Sequence, residues 1–166
     1  MSLQDIKRAL IGYVGSRPSG DNTDPKGFVE QFSQDVITMR VTDGGTAGTA
    51  AADATAGYAP HISRVRSIYL TTPVSVTADN TNNAVFTVGK RTAGGSRSTI
   101  GTLTTNVAQG NLTAHSPVAL TLTAANVNLA VGDVLTVELT KGGTGVAIGS
   151  ATGQATVSIV VEKGTA

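Results

Sequence analysis

The side chains able to do chemistry are few and scattered. His61 and His115 are the only two histidines, and neither has an acid close by in the chain. Pro60 precedes one and Ser116-Pro117 follows the other, the setting of a turn or surface residue rather than of a general base. Zinc would need a third ligand drawn from distant carboxylates, and no His pair has helical spacing. Without cysteine there is neither a thiolate site nor a disulfide framework. Serines are common, but none sits in a Gly-x-Ser-x-Gly elbow. Ala93-Gly94-Gly95-Ser96 and Gly142-Gly143-Thr144-Gly145 lack the Gly-Lys-Ser/Thr ending of a phosphate cradle and open no helix, so both read as hairpin turns. Asp79 and Asp133 lack the alternating carboxylate spacing that calcium prefers and read as turn caps. Asn111-Leu112-Thr113 matches a glycosylation acceptor, a pattern irrelevant to a cytoplasmic product. The expectation is a chain without catalytic residues, cofactor or metal.

Composition narrows the partners. The chain has 166 residues, of which 20 are Gly, 21 Ala and 25 Thr, and only 14% are charged. Twelve basic residues face eleven acidic ones, a formal charge of +1. Binding to nucleic acid draws on a basic field that displaces counterions from phosphate, so near-neutrality argues against it. No run approaches the length of apolar chain that spans a bilayer. The segment Met1–Arg8 carries Asp5 among its bases and lacks the apolar run of a signal peptide. The reading is therefore no nucleic acid, no membrane, and synthesis in a cytoplasm. Sugar recognition usually wants an aromatic platform, yet Tyr69 and Phe86 are the only rings after residue 60. A glycan site would have to be built from polar loops.

The elements fall into three parts: a helix over 1–16, an extended arm and low-complexity linker over 17–60, and a β-sandwich domain over 61–164. Ser2 and Asp5 imitate a capping box, and Leu3, Ile6, Leu10, Tyr13 and Val14 form one apolar stripe at helical spacing. So short a helix is marginal alone and needs a surface, its own domain or another subunit, to lie on. Residues 15–27 are rich in turn formers, and residues 43–60 are almost free of large apolar groups. From residue 61 the apolar period becomes two. Leu135, Val137 and Leu139 alternate with polar residues, as do Val157, Ile159 and Val161, apart from Val160. Similar runs surround Ala84/Phe86/Val88 and Val118/Leu120/Leu122, with further extended chain at 62–72 and 98–105 and a possible strand at 36–42. Between them lie Asp79–Asn83, Gly94–Ser96 and Lys141–Gly145, all turn chemistry. Seven or eight short strands so punctuated predict an all-β fold: an antiparallel β-sandwich or jelly roll, preceded by a short N-terminal helix and an extended arm.

Such a domain has little charge to oppose association. Four of the six aromatic residues, Tyr13, Phe28, Phe32 and Tyr58, lie before residue 60, and large rings are the usual anchors of interfaces. Together with Leu3, Ile6 and Leu10 they form the expected contact set for another subunit or a partner surface. Arg17 and Arg40, with Lys26, Arg64 and Arg66, would set polar register around them. The alternative reading is that Phe28 and Phe32 cover one open end of the sandwich.

Two tracts carry a family resemblance. The first joins Arg66-Ser67-Ile68-Tyr69-Leu70 to Ala78–Val88; the second runs from Pro117–Leu122 to Val131–Glu138. Together they resemble the head decoration (cement) proteins of tailed bacteriophages, over about residues 62–163. The pattern is shared with head-fibre and tail-associated proteins. The resemblance implies a jelly-roll homotrimer on the capsid exterior of a virion made in the host cytoplasm, with the major capsid protein as partner. It implies no catalytic residue. The alternative it leaves open is a receptor- or glycan-binding module of a head fibre or tail.

Overall fold

The computed structural model describes residues 34–41, 54–92, 94–144, 148 and 154–164. The chain divides into two units, Met1–Asp35 and Val36–Ala166, and nearly all the described residues belong to the second. The expected helix over 1–16 lies outside them.

Ten strands form two five-stranded sheets. They are β1 (Gln34–Val41), β2 (Ala54–Tyr58), β3 (Ser63–Thr71), β4 (Ala84–Arg91), β5 (Arg97–Thr104), β6 (Val118–Ala119), β7 (Thr121–Leu122), β8 (Asn128–Leu129), β9 (Val134–Lys141) and β10 (Ala155–Lys163). A single 3-10 turn at Ala124–Asn126 separates β7 from β8. The first sheet has the order β1-β10-β3-β6, with β8 also pairing β3; the second has the order β2-β9-β4-β5-β7. The pairings whose register is defined are antiparallel. The all-β reading and the antiparallel pairing therefore hold.

Period-two alternation explains which face of each strand is buried. Phe86 and Val88 of β4, Leu135, Val137 and Leu139 of β9, Ile68 and Leu70 of β3, and Val157 and Ile159 of β10 are all at most 2% exposed and share one cluster. Each such side chain removed from water contributes about 1.5–3 kcal/mol, the main force holding the two sheets together. Gly101 of β5 lies where the sheets approach closely: a Cβ there would sit 3.1 Å from Ile68 Cδ1 and 3.2 Å from Leu122 Cδ2.

Three findings refine the alternation. The register of β3 against β10 slips between Val160 and Val161, leaving Arg66 as an extra residue. Before that bulge Arg64 and Arg66 face outward; after it the outward residues are Tyr69 and Thr71. The apolar run Val118/Leu120/Leu122 is two strands rather than one: β6 joins the first sheet and β7 the second. The chain changes sheet at buried Leu120, whose N–H donates to Ile68 O at 2.9 Å. Finally, β1 and β2 precede residue 61 yet pair with β10 and β9, so the sheets draw on chain whose composition reads as arm. β1 coincides with the possible strand at 36–42, whereas for β2 sheet pairing supplies the backbone partners that low local hydrophobicity could not predict. Ile37 and Met39 pack against the common core, and Val41 is fully within it.

Among the described residues Phe86 is the largest fully buried side chain. Truncation in Phe86→Ala is expected to lower unfolding free energy by about 3–5 kcal/mol, read as a shift in the urea midpoint with an unchanged slope.

Candidate functional site

Of the residues singled out as contact anchors, Leu3, Ile6, Leu10, Tyr13, Arg17, Phe28 and Phe32 lie outside the described residues. Arg40 and Tyr58 are described. Arg40 is exposed near the end of β1, on the side opposite Ile37 and Met39. Tyr58 ends β2 and is 65% exposed, opposite Val134 of β9. Far from lying outside the sheets, Tyr58 belongs to the second one.

Tyr58 stands beside further apolar surface. Ala59 N–H donates to Asp133 O and Gly132 N–H to Ala59 O, both at 2.8 Å, which brings residues 58–60 against the β8–β9 turn. Val131 of that turn is 65% exposed and Ile62 is 52% exposed. Gly132 takes φ +85°, a left-handed conformation that suits glycine. Asp133 behaves as the expected turn cap: its Oδ2 accepts the Ala130 N–H at 2.9 Å, and Lys90 Nζ lies 3.9 Å away. Lys90 Nζ also donates to the carbonyl of Asn128.

The outer face of the second sheet carries an arrangement that periodicity did not reveal. Arg97 on β5 reaches across β4 to Glu138 on β9, with Nη1 2.8 Å from Oε2 and Nη2 2.9 Å from Oε1. This two-point pairing is geometrically specific. It crosses above Gly89, where a Cβ would lie 2.5 Å from Arg97 Cγ and 2.6 Å from Cδ. A glycine inside a strand pattern is the sequence signal for such a close approach. Beside this strap, Thr55, Arg91, Thr92, Val134 and Thr136 line an open depression of about 390 Å³ at the β4–β5 hairpin. Arg91 Nη1 donates to Gly95 O at 3.3 Å. Thr136 is 2% exposed and its hydroxyl lacks a hydrogen-bond partner.

His61 and His115 stay apart in role. The carbonyl of His61 accepts from Ser63 Oγ at 2.7 Å, and the amide of His115 donates to Thr72 O at 2.8 Å. His115 adopts φ 59°, a left-handed conformation that His takes more readily than most side chains. Among the described residues no group of three His, Cys, Asp or Glu could hold a metal ion, and no helix is long and apolar enough to cross a membrane. No protein-family model, no curated protein and no solved structure matches this chain.

Two carboxylates are tuned by their surroundings. Asp79 Oδ1 accepts the amides of Thr81 at 2.7 Å and Asn82 at 2.8 Å, and these backbone hydrogen bonds, that of Asn82 foremost, lower its pKa. Glu162 is lowered by the hydrogen bond from Arg66, then by the charges of Arg66 and Arg64. The Asp79 turn in turn docks on the β9 exit: Asn82 Oδ1 accepts from Thr144 N at 2.9 Å and Thr144 Oγ1 at 2.8 Å.

Two outcomes follow from these contacts. Gly89→Ala is expected to cost about 1–3 kcal/mol by forcing Arg97 aside, and to cost less in an Arg97→Ala background, where denaturation measures the non-additivity. Both carboxyl groups have folded-state pKa values below their ordinary ones, so their stabilisation is present at neutral pH. It is lost as pH falls through those depressed values. The difference in melting temperature between wild type and Asp79→Ala should therefore narrow on acidification, and likewise for Glu162→Gln; a difference that widens overturns the assignment.

Proposed function

We propose that this chain is a structural virion protein that binds the outer surface of a phage capsid as an oligomer and stabilises the shell. The observation that carries the reading is apolar surface on a domain of low charge. Val36, Tyr58, Ile62, Val107 and Val131 are each more than half exposed, and single large side chains of this kind become anchors when a partner covers them. The jelly-roll topology, the homotrimer and the major capsid protein as partner come from the resemblance in the two tracts described above. Stabilisation is linkage: a protein that binds the assembled lattice and not its loose subunits opposes disassembly. Several chains joined in one oligomer raise effective concentration, so avidity exceeds single-site affinity by about 10²–10⁴.

A second reading, a receptor- or glycan-binding module of a fibre or tail, is favoured by the depression beside Arg91. Its threonine hydroxyls and guanidinium suit polar ligands.

The test adds the full chain to phage heads assembled without it. Saturable occupancy and a higher temperature of head disruption are expected. Absence of both, together with saturable retention on cell-surface glycans, transfers the function to the second reading.

A further inference from the structure

The two sheets present different outer faces. On the second sheet the outward positions are mostly threonines, Arg97 is matched by Glu138, and Arg91 lies at the hairpin end, an excess of one positive charge. On the first sheet β1 contributes Val36, Thr38 and Arg40, β10 contributes Ser158, Val160 and Glu162, and β3 contributes Arg64, Arg66 and Tyr69. Three guanidinium groups therefore share a face with one carboxylate, an excess of two positive charges. Asp35 has the opposite parity along β1.

Among the described residues the face is built and open. Arg66 is the bulged residue of β3, and the bulge brings it to the same side as both Arg64 and Tyr69. Arg66 pairs with Glu162, yet its side chain remains 47% exposed while Glu162 is 16% exposed. Arg64 sits directly opposite Glu162 and acts on it through charge, and among the described residues neither Arg64 nor the exposed Arg40 forms an ion pair. Tyr69 is 37% exposed between Ser158 and Ala119, its partners on the two neighbouring strands, so nothing tall flanks the ring. Arginine and tyrosine enrichment with few acids is the composition of protein interfaces.

We propose that the outer face of the β1-β10-β3 sheet is a docking surface for an acidic protein surface, with Tyr69 as the apolar anchor and Arg40, Arg64 and Arg66 reading the acids around it. Charge complementarity selects the occupant: a second copy would set three arginines against three arginines, whereas an acidic surface pairs them and steers encounter. On the capsid reading, on which this assignment of the partner rests, this face is the one turned toward the shell.

The experiment compares the full-length wild type with Arg40→Glu/Arg64→Glu, the conservative Arg40→Lys/Arg64→Lys, and the control Thr104→Glu/Thr123→Glu. Each is applied at low and high salt to heads assembled without the chain and to immobilised poly-L-glutamate. The charge-reversed pair is expected to lose about tenfold or more in apparent affinity on both supports. The lysine pair and the control should bind as wild type, and melting temperatures confirm that all variants fold. Wild-type binding to poly-L-glutamate but not to heads overturns the capsid reading and leaves the docking face standing. Undiminished binding of the charge-reversed pair on either support, or stronger retention of wild type on duplex DNA than on poly-L-glutamate, overturns the docking face.

Discussion

The molecule depends on one contact, the meeting of two inward apolar rows: Ile68 and Leu70 with Val157 and Ile159 from one sheet, and Phe86 and Val88 with Val137 and Leu139 from the other. Few charges and few aromatic residues are available to this chain. Among the described residues, branched aliphatic side chains and the buried ring of Phe86 supply the driving force, and hydroxyls keep the outer surfaces wet. A strand that slipped by one residue would send every inward side chain to solvent. Register is therefore the constraint from which everything else follows.

Within that constraint, three slips are tolerated and each has a local effect. In β3 the bulge reverses the parity of the strand, so that Val65 and Ile68 both reach the core while Arg64, Arg66 and Tyr69 all remain outside. In β4–β5 the slip between Val88 and Gly89 leaves Ile100 without a register partner and fully buried. In β2 it lies between Thr55 and Gly57, whose Cα would carry a Cβ within 3.5 Å of Ile37. Each bulge re-aims a side chain at the place where the sheets or the surface need it.

Charge is distributed by the same geometry. The Arg97–Glu138 pair closes over Gly89 and neutralises the middle of one outer face. The opposite outer face collects arginines around a single glutamate. A nearly neutral chain thus acquires two unlike surfaces, one hydroxylated and one cationic, although the residues responsible are dispersed over more than a hundred positions. Tyr58, Ile62 and Val131 are exposed near the end where residues 58–60 meet the β8–β9 turn.

Alternation with period two and turn chemistry at Asp79–Asn83, Gly94–Ser96 and Lys141–Gly145 were enough, from the amino-acid order alone, to specify an all-β chain. The inward faces of β4, β9 and β10 were equally legible. So was the capping role of Asp79 and Asp133, because a carboxylate within three residues of unpaired amides, before them for Asp79 and after Ala130 for Asp133, meets them locally. Only the folded molecule decided that β1 and β2 join the sheets, that Leu120 is a crossing point, and that Arg97 finds Glu138 across an intervening strand. These depend on partners remote in sequence, and a pairing between distant backbone segments leaves no local periodic signature. For the same reason nothing in one dimension placed Tyr69 on the face that Arg64 and Arg66 share by simple alternation: a single bulged residue sets its direction, and the bulge exists only once β10 lies alongside.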